Sequence, residues 1–370
     1  MKPLSDVRIV EFDGLGPVTF AGMVLADLGA DLVRLTRAPS AGAAVFDQVG
    51  GDILHRGRPG VPVDLKNPAD KMRVLDLAAS SDAVIEGFRP RVMERLGLGP
   101  GVLQARHPGL VYGRVTGWGQ SGPLADAVGH DINYLALSGA LHALGAADQP
   151  PRPPLNMLGD YGGGAMMLVT GVLAALMDAR RTGRGRVVDA AMTDGAALLT
   201  SLFHAFRPLG LWSDVPGTNL LDGGAPFYRC YRCRDGRFVA VGALEPRFYA
   251  ALVRGLGLTV EEMPQFPMAG WPALHARFEA TFAMRDRDEW ADQFSGTEAC
   301  VTPVLNMAEA PSHPHNMARG TFSPGPPVQP SAAPRFGDLP ALVGPGTTKT
   351  LDAALASWAT RACSPSDNGG

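Results

Sequence analysis

The sequence predicts an α/β protein with a doubly wound parallel-sheet large domain and a smaller α+β domain. Short apolar runs typical of buried strands alternate with longer segments in which apolar residues recur at helical spacing. The chain has 370 residues, 46% of them hydrophobic, which is enough for two domains. Near residue 222 the pattern changes to closely spaced short strands. We therefore expect a large domain over 1–221, completed by a returning segment 318–370, and a small domain over 222–317.

The first strand–helix–strand unit occupies the N-terminal residues. DVRIVEFD at 6–13 predicts a buried strand, the apolar periodicity of 18–30 a helix, and DLVRLTR at 31–37 a second, parallel strand. The turn GLGP carries two glycines, but Thr19 takes the place of the third glycine of the dinucleotide fingerprint. A nucleotide-dependent oxidoreductase is therefore only weakly supported.

Four further strands follow the same alternation. Asn67 and Pro68 are suited to start the helix after the third strand, and Gly183 is suited to end a long helix over 162–182. Ligands bind such sheets at the carboxyl ends of the strands. The predicted strands lie within VPVDLKNP, DAVIEGFRP, GLVYGRVTGWG and GRVVDAA.

Composition excludes several classes of function. The net charge of −3 gives no reason to expect a nucleic-acid partner, and no uninterrupted apolar run of about 18 residues predicts a membrane span. The N-terminus lacks the pattern of a signal peptide, so we expect a cytoplasmic protein. Cys230 and Cys233 form a C-x-x-C before an RDG turn, which predicts opposite faces of one strand and disfavours a metal or redox role. We expect no metal and no separate cofactor.

Asp160 stands between an apolar run and three glycines in LNMLGDYGGGAMMLV. Its position predicts an N-cap of the long helix, where a carboxylate accepts backbone hydrogen bonds. Capping does not explain the glycines, each of which costs about 1 kcal/mol in a helix relative to alanine. We therefore expect them to admit a ligand whose developing oxyanion meets N–H groups at the helix start.

His130 lies just before another predicted apolar helix. A histidine at a helix start is commonly structural, but His130 and Asp160 both open helices beside the sheet, and two such ends can face one cleft. An imidazole and a carboxyl on opposite sides of a carbon form a two-base proton shuttle. Apolar neighbours of Asp160, such as Leu158 and Met166, would raise its pKa toward neutrality.

From residue 5 to about 322 the chain resembles the α-methylacyl-CoA racemases, within the CaiB/BaiF-like superfamily of family III CoA transferases. Members of this family form an interlocked homodimer whose active sites lie between the two subunits, and the resemblance implies the same assembly here. The resemblance rests on seven motifs in order, namely GLGP…MVLADLGADLVRL, IEGFRP…ERLGLGP, GRVTGWGQSGPL, GHDINYLALSG, GDYGGG, LLDGGAPFY and VAVGALEPRFY.

The resemblance implies three catalytic residues, His130, Asp160 and Glu245, the last supplied by the small domain of the partner subunit. It leaves the roles of Arg56 and Arg58 open, because Pro59 and Gly60 depart from the pattern. It also implies a set of contacts to coenzyme A, which is part of the substrate: Arg37, Val63, Asp64, Leu65, Lys66, Gly87, Phe88, Arg89, Arg95, Gly129, Asp131, Ile132, Asn133 and Tyr134.

The implied reaction is racemisation of 2-methylacyl-CoA thioesters by 1,1-proton transfer through an enolate, with His130 and Asp160 as the bases. Met157, Met166 and Met167 either form a pliable surface for the acyl group or pack in the core. The alternative is a CoA transferase of the same fold, in which Asp160 attacks the thioester and forms a mixed anhydride. A third possibility is a CoA-binding protein without catalysis. The acyl group, either branched fatty acyl or a sterol side chain, stays open.

Overall fold

The computed structural model describes residues 2–37, 51–337, 344 and 346–361. Contacts divide the chain into two compact units: Met1–Ser138, Pro154–Leu199 and Gly320–Gly370 form the first, and Gly139–Pro153 and Thr200–Arg319 the second. This division falls at other points than the predicted boundaries near 221 and 317. Residues 139–153 and 200–221 belong together, as the 2.9 Å contact between His142 Nε2 and the Asp214 carbonyl oxygen illustrates.

The first unit contains a six-stranded parallel sheet in the order β3-β2-β1-β4-β5-β6. All six predicted strands take part, so the predicted doubly wound sheet is confirmed. Strand order reverses between β1 and β4, which is where sheets of this type open a crevice for ligands. The strands are β1 (Arg8–Phe12), β2 (Asp31–Arg37), β3 (Gly60–Val63), β4 (Ala83–Glu86), β5 (Val111–Thr116) and β6 (Val187–Ala191).

Helices cover both faces of this sheet. They are α1 (Pro17–Asp27), α2 (Gly51–Leu54), α3 (Pro68–Ala79), α4 (Val92–Arg95), α5 (Pro100–Arg106), α6 (Asp131–Ser138), α7 (Met166–Thr182) and α8 (Met192–Leu199). Neighbouring residues of β1 point into opposite cores, Ile9 toward α1 and α7 and Val10 toward α3 and α5. Both predicted helix signals are confirmed: Asn67 Oδ1 accepts from Ala69 N at 2.9 Å at the start of α3, and Gly183 ends α7 with a φ of 70°.

In the described part of the chain, Met157–Thr182 is the one helical stretch that is long and apolar enough to cross a membrane. Leu168, Val172 and Leu176 of this stretch are buried against the sheet, in the same core as Ile9. The buried face of this stretch therefore belongs to the core of the first unit.

The second unit is α+β, with an antiparallel sheet β7-β8-β9 over an aromatic core. Its elements are α9 (Ser201–Phe206), β7 (Tyr228–Arg232), β8 (Phe238–Gly242), α10 (Pro246–Gly255), α11 (Trp271–Phe282), α12 (Arg287–Phe294), β9 (Val301–Pro303) and α13 (Pro314–Arg319), with 3₁₀ turns at Arg207–Leu209, Met268–Gly270 and Ala310–Ser312. Cys230 is exposed and Cys233 buried, which confirms that they face opposite ways.

The chain then returns to the first unit. A small antiparallel pair, β10 (Phe322–Ser323) and β11 (Gln329–Pro330), precedes α14 (Leu351–Arg361), which packs against α3 and β3. Trp358 is only 1% exposed, and the Arg8 guanidinium lies 5.9 Å from the centre of its ring. The C-terminal helix is therefore part of the core of the first unit.

Candidate active site

A cleft of about 1410 Å³ lies within the first unit. Turns that follow three neighbouring strands line it, residues 13–17 after β1, 87–90 after β4 and 116–118 at the end of β5. This is the switch point of the sheet, where the fold predicts a ligand. His130 and Asp160 both line this cleft, together with Asn133 and Tyr134.

Asp160 occupies the fourth position of a π-helix, Met157–Ala165, that runs directly into α7. The prediction of an N-cap was wrong, because the helical turns begin three residues before Asp160. The bond from Tyr161 N to the Asn156 carbonyl oxygen, 3.3 Å long, starts the wide turn. π-helical turns are rare and are frequent at functional sites.

The glycines 162–164 make room for α8. A Cβ on Gly163 would lie 2.8 Å from Ala196 N, and one on Gly195 of α8 would overlap the carbonyl oxygen of Gly163. The three glycine N–H groups lie beyond the first turn of the π-helix, whose unpaired N–H groups belong to its earlier residues. The predicted oxyanion site at these glycines was therefore wrong, since the helix starts earlier than expected.

Burial dominates the environment of the Asp160 carboxyl and raises its pKa. Asn156 Nδ2 donates to Asp160 Oδ2 at 3.3 Å and lowers the pKa, the negative charge of Asp131 raises it, and the charge of His130 lowers it. Oδ2 also lies against Gly16, where a Cβ would come within 3.0 Å and where φ is 70°. Glycine thus allows the turn after β1 to meet the carboxyl group.

Asp131 is the other acid beside Asp160. Its Oδ1 accepts a hydrogen bond from Asp160 N at 2.7 Å, and Gly159 leaves no room for a Cβ next to it. The residue is 8% exposed, and within the described residues its Oδ2 has no hydrogen-bond partner. Burial raises the pKa of this carboxyl group. Sequence reasoning missed this contact, because the two residues are 29 positions apart and no spacing rule joins them.

His130 directly precedes α6, as predicted. Its backbone N–H donates to Asn133 Oδ1 at 3.0 Å, and its carbonyl oxygen accepts from Asn133 N at 2.8 Å, so the backbone at this position is fixed. The side chain is exposed toward the cleft, and its charge acts on the Asp160 carboxyl. The structure thus brings the two predicted bases into one cleft.

Tyr134 forms the wall next to His130. Its hydroxyl donates to the carbonyl oxygen of Gly129, and its ring packs edge-on against Trp118 with centroids 4.8 Å apart. Gly117 and Gly129 leave the space that the ring occupies, because a Cβ at either position would strike it. These glycines are therefore required by packing.

The predicted CoA contacts fall into two groups. Those that line the cleft are Arg37, Gly87, Phe88, Arg89, Gly129, Asn133 and Tyr134. Those that do not line it in the described part of the structure are Val63, Asp64, Leu65, Lys66, Arg95, Asp131 and Ile132. The assignment of all of them to CoA stays a prediction.

A buried ion network holds the loop 87–89. Glu86 accepts from Phe88 N at 2.7 Å and from Arg114 Nε at 2.8 Å, and Arg114 also binds Glu94 at 2.7 Å. Burial raises the pKa of Glu86 to about 7, and the hydrogen bonds to Arg114 lower that of Glu94. This network fixes where Arg89 enters the cleft.

Arg56 and Arg58 have structural roles. Arg56 binds Asp27 at 2.9 Å and the carbonyl oxygen of Pro330 at 2.9 Å, which ties the returning segment to α1. Arg58 forms a fully buried ion pair with Glu11. Gly22 of α1 leaves the space for this pair, since a Cβ there would overlap both side chains.

The other predicted residues lie outside the cleft lining. Glu245 is exposed at the start of α10 in the second unit, so its contact with His130 in a partner subunit stays a prediction. Met157 and Met166 are 58% and 39% exposed, whereas Met167 packs against the core. The expected acyl surface is therefore untested.

A doubly wound sheet with an imidazole and a carboxyl group in its switch-point cleft defines an α/β enzyme. The profile of CoA-transferase family III matches residues 4–344, and the chain belongs to that family. Alpha-methylacyl-CoA racemase of Mus musculus is 47% identical over 86% of this chain and 82% of its own, and that of Homo sapiens is 45% identical over 92% and 88%. The crystal structure of a CAIB/BAIF family protein from Brucella suis covers 97% of the chain and 99% of its own, with a TM-score of 0.79 and 22% identity, and shows the fold alone. The predicted resemblance is confirmed.

Proposed function

We propose that the protein racemises 2-methylacyl-CoA thioesters by 1,1-proton transfer at the α-carbon. The observation that carries this proposal is that His130 and Asp160 share one cleft and that the charge of the first acts on the carboxyl of the second. Similarity to racemases over most of the chain supports it.

In the proposed mechanism, one base removes the α-proton and the other returns a proton to the opposite face of the planar enolate. Each group must therefore both donate and accept a proton near neutral pH. Burial raises the pKa of Asp160, which brings this carboxyl closer to that requirement. Each pKa unit of mismatch between carbon and base costs about 1.4 kcal/mol, so the enolate must be stabilised in the cleft.

Coenzyme A supplies phosphates that need cationic partners. Arg37 and Arg89 line the cleft. A guanidinium group can donate two parallel hydrogen bonds to the oxygens of one phosphate. In this proposal the chain is a cytoplasmic, interlocked homodimer, and Glu245 of one subunit orients His130 of the other. The substrate thioester carries the CoA, so no separate cofactor takes part.

The test is α-hydrogen exchange. Incubation of (R)- and (S)-2-methylacyl-CoA in D₂O, followed by chiral analysis, is expected to give deuterium incorporation and the same final mixture from either enantiomer. No free carboxylic acid is present in this assay. A second assay with a free acid acceptor detects transfer of CoA.

Three other outcomes would contradict the proposal. CoA transfer without exchange would assign the transferase reaction, with Asp160 as nucleophile through a mixed anhydride. Tight binding of acyl-CoA with neither exchange nor transfer would assign a binding protein. Exchange that persists in both His130→Ala and Asp160→Ala would remove the two-base assignment.

A further inference from the structure

The family match ends at residue 344, yet residues 346–348 line the cleft. We call residues 346–349 the C-terminal strap. Nothing in the seven sequence motifs assigns a role to it, because the last of those motifs ends at residue 249 and the resemblance ends near residue 322. Its position beside the cleft is therefore a feature that the sequence did not predict.

The strap is held against the edge strand β3. Gly60 N donates to the Thr347 carbonyl oxygen at 2.7 Å, and Lys349 N donates to the Gly60 carbonyl oxygen at 3.0 Å, in a parallel bridge. Gly346 fits closely, since a Cβ there would lie 2.7 Å from the His55 carbonyl oxygen. The buried Leu351 of α14 anchors the strap from its other end.

The strap lies at one end of the cleft and Asp160 toward the other. Asp160 Oδ2 lies against Gly16, which follows β1, whereas the strap lies one strand beyond β3. Three strand spacings separate those positions, roughly 14 Å. In an acyl-CoA, the pantetheine arm likewise separates the reacting thioester from the nucleotide.

Resting on the proposed function, we propose that the strap binds the nucleotide end of CoA through the hydroxyl groups of Thr347 and Thr348. Both residues are exposed and line the same cleft as Arg37, a candidate phosphate partner. Hydroxyl groups donate to phosphate and ribose oxygens without adding charge. The main chain of the strap is fixed by β3, so these hydroxyls are held in place before the ligand arrives.

The experiment compares two substrates of different length. Thr347→Val and Thr348→Val remove the hydroxyls and keep the shape of the side chains, and the double variant is assayed with a 2-methylacyl-CoA and with the matching 2-methylacyl-pantetheine. We expect KM for the CoA ester to rise about fivefold to thirtyfold, the size of one or two hydrogen bonds, with kcat unchanged. The kinetics of the pantetheine ester should not change.

Thr182→Val is the matched control, because Thr182 is exposed at the far end of α7 and outside the cleft lining. Equal effects on both substrates, or no effect on either, would overturn the proposal for the strap. If the wild-type protein racemises neither substrate, the proposed function fails instead, so the two failures are distinguishable.

A separate observation concerns Asp131. One of its carboxylate oxygens holds the backbone of Asp160, and the other is buried without a hydrogen-bond partner among the described residues. No salt bridge to Asp131 or Asp160 is present in the described part of the chain. We propose that Asp131 is a positioning residue whose negative charge also favours the protonated form of Asp160.

The groups that face Asp160 come from three directions. Asp131, His130 and Tyr134 belong to α6 or directly precede it, Asn156 precedes the π-helix, and the turn before α1 places Gly16 against the carboxyl group. Within this set, Asp131 and His130 are the groups whose charge acts on the Asp160 carboxyl, and they act in opposite directions. Removing the charge of Asp131 should therefore lower the pKa of the Asp160 carboxyl.

Asp131→Asn separates the two effects, because the amide oxygen still accepts from Asp160 N while the charge is lost. We expect the acidic limb of the kcat profile, which reports ionisation of Asp160, to move to lower pH in this variant. Asp131→Ala loses the hydrogen bond as well and should lower kcat at every pH. An Asp131→Asn profile that coincides with wild type would show that the side chain only positions the backbone and would overturn the electrostatic part of the proposal.

Discussion

Two kinds of buried or half-buried carboxylate occur in the first unit. Glu11 and Glu86 lie at the ends of β1 and β4 and each binds a buried guanidinium, Arg58 in one case and Arg114 in the other. Asp131 and Asp160 lie beside the same sheet, but within the described residues neither forms a salt bridge. Hydrogen bonds to backbone and amide groups hold them instead.

This difference distinguishes acids that hold the structure together from acids that are candidates for proton transfer. A buried acid with a guanidinium partner contributes to positioning, and removing one member of the pair leaves an uncompensated charge. An acid without such a partner keeps a proton affinity that its neighbours can adjust. The arginine pairs thus fix the two turns that border the cleft, while the acids without a salt bridge lie where we propose that the proton is transferred.

The largest effect is expected at the unpaired acid that faces the cleft. Asp160→Asn should lower α-hydrogen exchange by about 10³-fold, because the amide can neither accept nor return the proton. The melting temperature should stay close to wild type, since no salt bridge is lost. Exchange rates and thermal unfolding measured on the same preparation test both expectations. A large loss of stability would show that Asp160 has a structural role like that of Glu11 and Glu86.

The next effect is on stability. Glu11→Gln should lower the free energy of unfolding by about 3–5 kcal/mol, because Arg58 is left buried with its charge unpaired. Glu289→Gln is the matched control, since Glu289 pairs with Arg234 at the surface and such pairs contribute at most about 1 kcal/mol. Chemical denaturation of both variants decides the question, and equal losses would contradict the comparison.

A smaller loss is expected where the π-helix meets α8. Gly163→Ala should destabilise the protein by about 1–3 kcal/mol, because the new Cβ would lie 2.8 Å from Ala196 N. Gly101→Ala serves as the control, since a Cβ there meets nothing within 4 Å and alanine favours the helix. Opposite signs of the two effects in thermal unfolding are the expected result, and two losses of the same size would be inconsistent with it.

The smallest effect concerns the amide beside Asp160. Asn156→Ala removes the hydrogen bond that lowers the pKa of the Asp160 carboxyl, so the acidic limb of the exchange profile should move to higher pH. The change in rate at neutral pH should be about tenfold, near the lower end of the range for a single hydrogen bond to a charged group, because this bond is long at 3.3 Å. A shift of the acidic limb toward lower pH would contradict the assignment of this hydrogen bond as one that lowers the pKa of Asp160.

The sheet was largely predictable from the sequence, because each strand is a short apolar run followed by a polar or glycine-rich turn. The starts of α3 and α6 followed from Asn67 and from the position of His130. The π-helix was not predictable. Three glycines are costly inside a helix, so they suggested that the helix starts there. No local rule distinguishes glycines at a helix start from glycines that let two helices pack closely. The glycine at 163 is explained by Gly195, which lies 32 positions away.

The site was predictable as far as its two bases, through the motifs that carry the family resemblance. The contact between Asp131 and the Asp160 backbone was not, because it joins residues on different helices. The buried roles of Arg56 and Arg58 also escaped prediction, since an arginine in a sequence gives no sign of its partner. Glu11 and Asp27, which bind these arginines, lie 47 and 29 positions from them.

The return of the C-terminal segment has a consequence for biosynthesis. The helix that contains Trp358 packs on the strand that begins at Gly60, with the whole second unit between them in the chain. During synthesis on the ribosome, this edge of the first unit stays open until those late residues have left the exit tunnel. Its completion is therefore a late event, and nascent chains that stop before residue 351 would expose apolar side chains on which chaperones act.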